Sequence, residues 1–175
     1  MNVYFEQGNI GAAFRVIPLK PPIIDQMDLP PVLKKLALER QGLVLVTGPT
    51  GSGKSTTLSS MIEFINTTKD VHVLTIEDPV EFLYNNKKSV ITQRELGADT
   101  LTYPNAIKYA LRQDPDVILI GEMRDQETIL AAVKAAETGH LVMSTMHTTD
   151  SVGTVSRVIS TFPPHEQEGI RQRLG

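Results

Sequence analysis

The chain has 175 residues, enough for one domain of ordinary size, and 41% of them are apolar while 21% are charged. These proportions are typical of soluble globular proteins and exclude a disordered, collagen-like or coiled-coil chain. The absence of cysteine excludes disulfide frameworks, cysteine-ligated zinc and thiol nucleophiles. A formal charge of −3 argues against nucleic-acid binding. With no signal peptide and no apolar run of roughly 18–20 residues, we expect a cytoplasmic protein that does not insert into the membrane.

The N-terminal segment is predicted to form two short strands, Asn2–Phe5 and Ala12–Ile17, with a tight turn at Gly8-Asn9. Because a two-stranded hairpin is marginally stable alone, it is expected to be the end of a truncated preceding domain. The prolines that follow prevent regular structure and indicate a linker. The predicted divisions are therefore the strands of the truncated domain (1–20), a linker (21–31) and a core (32–175).

Strand and helix patterns alternate through the core. The predicted strands are short and mostly apolar throughout: Leu43–Thr47, Val71–Ile76, Ser89–Thr92, Val117–Ile120 and His140–Met146. The predicted helices are Pro31–Arg40, Lys54–Asn66, Asn105–Gln113, Gln126–Glu137, Ser151–Ile159 and His165–Leu174. Strands that are apolar along their whole length, each followed by a helix, are typical of a parallel sheet covered on both faces. The sequence therefore predicts an α/β fold with three layers.

A phosphate-binding loop is predicted where GPTGSGKS matches the pattern G-x-x-x-x-G-K-[ST] between a strand and a helix. Glycines allow backbone N–H groups to surround phosphate oxygens, and the helix N-terminus adds partial positive charge. We expect Lys54 to contact the β- and γ-phosphates of ATP and the Ser55 hydroxyl to coordinate Mg²⁺. A glycine-rich turn without a ligand is the alternative. The predicted nucleotide-binding residues of this loop are Gly48, Thr50, Gly51, Ser52, Gly53, Lys54, Ser55 and Thr56.

Glu122 is the first candidate for a catalytic carboxylate. It emerges at the carboxyl end of the strand Val117–Ile120, and ligands of open α/β sheets bind at that edge. We predict that Glu122 acts as the base or polarises the attacking water, and that it helps to hold the metal through its water shell. The alternative is a carboxylate at a strand end that faces solvent.

Three further carboxylates follow the strand Val71–Ile76, at Glu77, Asp78 and Glu81. Mutual repulsion prevents all three from facing one magnesium ion, so we expect their roles to differ. Glu81 is predicted to be the second catalytic carboxylate, and Glu77 or Asp78 to form structural hydrogen bonds around Pro79. A solvated acidic turn explains the same residues equally well.

His147 follows the last core strand, where its side chain could hydrogen-bond the γ-phosphate and so report the presence of the nucleotide. A lone histidine after a strand is more often a packing or solvent-facing residue. Transition states of phosphoryl transfer also need an added positive charge. Arg112, Arg124 and Arg157 are candidates for it, and the sequence does not choose among them.

Four segments in order resemble the Walker A, Asp box, Walker B and His box of the bacterial secretion ATPase superfamily. They are Thr47–Thr57, Thr75–Phe82, Leu111–Asp125 and Thr138–Thr148. The sequence of Gly121–Asp125, GEMRD with Met123, is similar to the corresponding segment of the type IV pilus retraction ATPases, the branch that drives twitching motility. The short segments Lys87–Ser89 and Gln93–Glu95 resemble the same branch.

The resemblance implies a RecA-like P-loop NTPase core, preceded by the remnant of a PAS-like domain at residues 1–20. It implies a homohexamer that uses ATP and Mg²⁺ to withdraw pilin subunits, bound to an inner-membrane platform protein at the pilus base. By position, Glu122 and Glu81 would be catalytic, His140 and His147 would be the His-box residues, and His147 would contact the nucleotide. Because family members extend beyond both ends, the chain is expected to be a fragment.

Three other functions remain open from the sequence. The chain could belong to a pilus assembly or type II secretion ATPase of the same superfamily. It could also be a nucleotide-binding switch that does not hydrolyse ATP. A DNA-translocating motor is disfavoured by the acidic balance and by the lack of a face with interleaved basic and aromatic residues.

Overall fold

The computed structural model describes residues 2–14, 16–18 and 20–174, and the predictions for Met1, Arg15, Leu19 and Gly175 lie outside the described residues. The described chain begins with an antiparallel hairpin of β1 (Asn2–Glu6) and β2 (Asn9–Ala13).

The hairpin turn differs from the sequence-based prediction. Its two central residues are Gln7 and Gly8, with φ of 49° and 82°, the positive angles that a type I′ turn requires. The register pairs Glu6 with Asn9, so the second strand begins directly after the turn. The predicted strand Ala12–Ile17 was therefore placed too late, because β2 begins at Asn9, three residues earlier and directly after the turn.

A five-stranded parallel sheet forms the centre of the core. Its strands are β3 (Gly42–Thr47), β4 (His72–Glu77), β5 (Val90–Glu95), β6 (Val117–Ile120) and β7 (Leu141–Met146). Their order across the sheet is β3-β7-β6-β4-β5, and every neighbouring pair is parallel. All residues of β6 and β7 are buried, as expected for central strands covered on both faces. The α/β prediction is confirmed.

Six α-helices and a short 3-10 helix, Ile24–Gln26, accompany the sheet in the described part of the chain. The α-helices are α1 (Val32–Leu38), α2 (Lys54–Thr68), α3 (Tyr103–Ala110), α4 (Gln126–Glu137), α5 (Ser151–Ser160) and α6 (Pro164–Leu174). None of these helices combines the length and apolar character that crossing a bilayer would require.

Helix α3 begins and ends earlier than the predicted Asn105–Gln113. Thr102 caps it by accepting a hydrogen bond from the Asn105 N–H at 3.4 Å, and Pro104 suits the first turn. The chain has left the helix before Asp114, whose φ is 52°. The prediction was wrong at both ends because it used the apolar periodicity and Pro115 rather than the cap.

Two hydrophobic cores lie on opposite faces of the sheet. Side chains alternate along each strand, so Ile118 and Ile120 pack with α3 to α6, whereas Val117 and Leu119 pack with α1 and α2. Ile24, within the segment predicted as a linker, is 5% exposed and packs in the second core. The two cores fix the carboxyl ends of the strands relative to the start of α2.

Candidate active site at the carboxyl edge of the sheet

The segment between β3 and α2 forms the loop that the glycine motif predicts. Gly48 donates its N–H to the Met146 carbonyl at 3.4 Å, which fastens the start of the loop to the neighbouring strand. A Cβ on Gly48, where φ is 151°, would lie 2.6 Å from the Ser52 Oγ. Gly53, with φ 90°, precedes the first helical residue. Both positions therefore require glycine if the loop is to keep this shape.

Lys54 is 8% exposed, and its ammonium group remains hydrogen-bonded within the loop. Its Nζ donates to the carbonyl oxygens of Gly48 and Pro49, each at 2.9 Å. A buried ammonium is stable only with such acceptors. The free N–H groups at the start of α2 and the charge of Lys54 make this loop a site suited to anionic oxygen atoms.

Glu122 lies two residues beyond β6 and is held by two cationic or potentially cationic groups. Its Oε2 forms an ion pair with Arg124, 2.7 Å from the Nε, and lies 3.5 Å from the His147 Nε2. The side chain of Glu122 is 17% exposed, whereas that of Arg124 is 73% exposed. The Glu122 carboxylate is thus largely shielded from solvent, while its partner Arg124 extends into solvent.

The turn after β4 is organised around Glu77, which is buried. The Thr75 hydroxyl donates to its Oε1 at 2.7 Å, and the Glu81 N–H donates to its Oε2 at 3.4 Å. Burial raises the pKa of Glu77 above the ordinary value, and the hydrogen bonds from Thr75, Glu81 and Gln93 oppose that shift. Glu77 therefore has the structural role around Pro79 that was expected of Glu77 or Asp78.

These groups meet in one open cavity of about 460 Å³ at the carboxyl edge of the sheet. Most of the predicted site residues line it, namely Thr50, Gly51, Gly53, Lys54, Ser55, Thr56, Glu81, Glu122 and His147. Gly48 and Ser52 lie close together within the loop and are not among the lining residues.

The two histidines of the last core strand lie at opposite ends of it. His147 is at the carboxyl end, beside Glu122 and the cavity. His140 precedes β7, where its Nδ1 lies 2.9 Å from the Ala135 carbonyl. A six-residue strand is about 20 Å long, so His140 is far from the cavity.

Tyr103 lines the cavity and was not identified from the sequence. Its hydroxyl would lie 3.0 Å from a Cβ on Gly121, so glycine leaves room for the ring beside Glu122. Burial, with a smaller contribution from the charge of Glu122, raises the pKa of Tyr103 above its ordinary value. The hydroxyl therefore keeps its proton and can donate a hydrogen bond to an anion. The glycine at position 121 is consistent with a close neighbour, but the sequence does not say which residue it is.

Of the three candidate arginines, Arg124 lines the cavity, whereas Arg112 and Arg157 are not among the lining residues. The sequence named Arg124 as one of three candidates without assigning it a partner. Its contact with Glu122 depends on the path of the backbone after β6, where Met123 turns inward and is 3% exposed. No sequence signal specifies that path.

Asn66, near the end of α2, forms hydrogen bonds to the segment that connects β4 and β5. Its side chain donates to the Asn85 carbonyl at 2.9 Å and to Glu63 at 3.0 Å, and it accepts from the Lys87 N–H at 3.1 Å. Asn66 is fully buried, so its own amide depends on these partners for its hydrogen bonds. The helix that begins in the phosphate loop thus also holds the loop between β4 and β5.

Asn66→Ala is expected to lower the free energy of unfolding by about 1–3 kcal/mol, because it removes the partner of the Lys87 N–H, the Asn85 C=O and the buried Glu63 side chain. Urea unfolding followed by circular dichroism measures this change. Thr68→Ala, two residues along the same helix at an exposed position, should change the stability by less than about 0.5 kcal/mol. Equal effects of the two substitutions would contradict the role of Asn66.

A sequence model of the family described as "Type II/IV secretion system protein" matches residues 26–162. A "Twitching motility protein" of Neisseria gonorrhoeae is 55% identical over 163 residues, which are 93% of this chain and 44% of the relative. The "Type IV pilus retractation ATPase PilT" of Pseudomonas aeruginosa is 49% identical over 99% of this chain and 51% of the relative.

A crystal structure of the pilus retraction motor PilT with bound ADP superimposes with a TM-score of 0.95 at 49% identity, covering 98% of this chain and 50% of that one. The chain thus spans about half the length of the curated relatives it matches. The family match covers most of the chain, including the phosphate loop, the carboxylates Glu77, Glu81 and Glu122, and His147. The chain is a member of the type II/IV secretion system protein family.

Proposed function

We propose that this chain is the ATP-hydrolysing core of a motor that retracts type IV pili. The observation that carries the proposal is the meeting of the phosphate loop, Lys54 and the Glu122 carboxylate in one cavity. Lys54 and the N–H groups at the start of α2 supply positive charge at one side, and Glu122 supplies a hydrogen-bond acceptor at the other. In-line attack of water on a terminal phosphate needs these two elements.

In the proposed reaction, the loop from Gly48 to Thr56 holds the triphosphate of ATP, and Lys54 exchanges its carbonyl acceptors for phosphate oxygens. The available donors fit Mg²⁺, which prefers oxygen ligands: the Ser55 hydroxyl would bind the ion directly and Glu122 through water. When bound, the ion neutralises charge on the phosphates. Glu122 orients the attacking water and accepts its proton.

Glu81 and His147 complete the proposed site. Glu81 lines the cavity as the second carboxylate, and His147 lies close enough to Glu122 to respond to the same water or to the γ-phosphate. Tyr103 and Arg124 add a neutral donor and a positive charge at the same wall. These contacts would change on loss of the γ-phosphate, which gives the site a means of coupling hydrolysis to movement.

The motor is proposed to be a cytoplasmic homohexamer that contacts a platform protein of the inner membrane at the pilus base. The similarity to proteins named for twitching motility and pilus retraction supports the pilus as the place of action. The name of the family also includes type II secretion, so an assembly or secretion ATPase is the second candidate.

Deletion of the gene in its native host distinguishes retraction from assembly. Loss of a retraction motor should leave pili on the surface that no longer shorten, whereas loss of an assembly motor should leave cells without pili. Fluorescently labelled pili viewed by microscopy report both their number and their shortening. Complementation with the wild-type gene should restore shortening and the Lys54→Ala gene should not. Cells without pili would contradict the retraction proposal.

A further inference from the structure

The loop at residues 78–89, here called the acidic loop, carries Glu81 into the cavity without the support of a helix or strand. The Glu81 carboxylate is exposed, and no hydrogen bond or ion pair to it is formed by the rest of the described chain, residues 2–14, 16–18 and 20–174. Its position is therefore set by the backbone to which it is attached. What fixes that backbone decides where the carboxylate lies.

On the N-terminal side of Glu81, two acidic side chains hold the backbone. Val80 donates its N–H to the Glu95 Oε2 at 3.0 Å, and Glu81 donates its own N–H to the Glu77 Oε2 at 3.4 Å. Glu77 and Glu95 are partners in the parallel register of β4 and β5. The start of the acidic loop is thus attached to the ends of two adjacent strands.

On the C-terminal side, one side chain makes both attachments. The amide of Gln93 donates from Nε2 to the Phe82 carbonyl at 2.8 Å and accepts at Oε1 from the Tyr84 N–H at 3.0 Å. The same Nε2 lies 3.5 Å from the Glu77 Oε1. A carboxamide offers a donor and an acceptor together, so it can pair with a backbone C=O and N–H as a neighbouring strand would.

The position of Gln93 on the sheet makes this arrangement possible. Gln93 and Glu95 are two residues apart on β5, so both side chains lie on one face of the strand. Gln93 is the register partner of Thr75, whose hydroxyl also donates to Glu77. These side chains form a continuous row beneath the acidic loop, and Gln93 is the only member with N–H groups on its side chain.

We propose that Gln93 is a positioning residue for Glu81, fixing the acidic loop on the C-terminal side of that carboxylate through its bonds to Phe82 and Tyr84. The inference rests on the proposed function, since it assigns Glu81 a part in hydrolysis. Misplacement of a reacting group by about 1 Å is enough to reduce a rate by about a hundredfold. A residue that does not itself touch the nucleotide thereby controls turnover.

Gln93→Met keeps the length of the side chain and removes its three hydrogen bonds. In the complete protein, we expect kcat for ATP hydrolysis to fall by about tenfold or more. The acidic loop would then adopt several conformations, so the Glu81 carboxylate would occupy its catalytic position for less of the time. The KM and the affinity for a fluorescent ADP analogue should stay within about twofold of wild type, because the phosphate loop is unchanged. Backbone amides at residues 80–84 should exchange hydrogen faster.

Two further variants separate positioning from general stability. Gln93→Glu keeps an acceptor for the Tyr84 N–H but replaces the donor, placing a carboxylate against the Phe82 carbonyl and Glu77, so kcat should fall as in Gln93→Met. Thr92→Val removes the contact between the Thr92 Oγ1 and the His72 Nε2, 3.0 Å apart, on the opposite face of β5. That control should leave kcat near the wild-type value.

The inference is overturned if Gln93→Met and Gln93→Glu hydrolyse ATP as fast as wild type, or if kcat and nucleotide affinity fall together as they would after general loosening. It is also overturned if Thr92→Val lowers kcat equally. An active wild type with unchanged Gln93 variants contradicts this inference alone. A wild type that binds ATP without hydrolysing it contradicts the proposed function as well.

Discussion

Glu122→Gln is expected to slow ATP hydrolysis by about 10²- to 10⁴-fold, the range for loss of a general base. The amide has nearly the same shape and keeps an oxygen at the position that faces Arg124 and His147, although it loses the charge of the ion pair. It cannot accept the proton of the attacking water. Steady-state phosphate release by the complete protein, at saturating ATP and Mg²⁺, measures the change.

Binding separates this effect from damage to the site. The affinity of Glu122→Gln for ATP should remain within about twofold of wild type, because the phosphate loop is unchanged and the amide oxygen can still accept a hydrogen bond from a metal-bound water. Glu127→Gln provides the matched control: it is the same chemical change at an exposed position in the first turn of α4. It should hydrolyse ATP at the wild-type rate.

A Glu122→Gln protein that turns over ATP normally would contradict the assignment of the base. If neither it nor the wild type hydrolyses ATP although both bind it, the chain is a nucleotide-binding switch. The measurement thus tests the catalytic assignment and distinguishes an enzyme from a binding protein in one series.

Lys54→Ala is expected to weaken ATP binding by at least about a hundredfold. Hydrogen bonds from a charged donor contribute about 1.5–3 kcal/mol each, and Lys54 is placed to make two to the phosphates. The substitution also removes its bonds to Gly48 and Pro49, which hold the loop in shape. Titration of a fluorescent ATP analogue measures the loss of affinity.

Lys69→Ala is the control for this measurement. Lys69 lies at the opposite end of the same helix, where its Nζ also donates to two carbonyls, those of Leu38 and Glu39 at 3.3 and 3.2 Å. Its removal should leave ATP affinity unchanged although it loses equivalent contacts. Equal affinity in Lys54→Ala and wild type would refute the phosphate-loop assignment.

The fold could be predicted to a large extent because its signals are local. Apolar runs such as Val117–Ile120 specify strands that are buried on both faces, and alternation with helices implies parallel pairing. Boundaries were less certain where a cap or turn decides them. Thr102 moved the start of α3, and Gln7 with Gly8 moved the start of β2, because single backbone angles and hydrogen bonds outweigh periodicity there.

The candidate site divides in the same way. The phosphate loop is a contiguous motif, and the order of strands brings Glu122, Glu81 and His147 to one edge, so the sequence predicted that these groups lie close together. Their catalytic roles stay predictions. The sequence did not predict the ion pair of Glu122 with Arg124 or the place of Tyr103, since both depend on how irregular segments pack against one another.

The sequence by itself determined the α/β class, the phosphate loop and the family, because each is encoded in residues that are close together along the chain. Only the tertiary structure decided how the acidic loop is held. Gln93 is nine residues from Tyr84 and Asn66 is 21 residues from Lys87, and these side chains meet the loop only after β4, β5 and α2 have packed. Long-range hydrogen bonds of this kind follow from geometry, which no local pattern of residue types specifies.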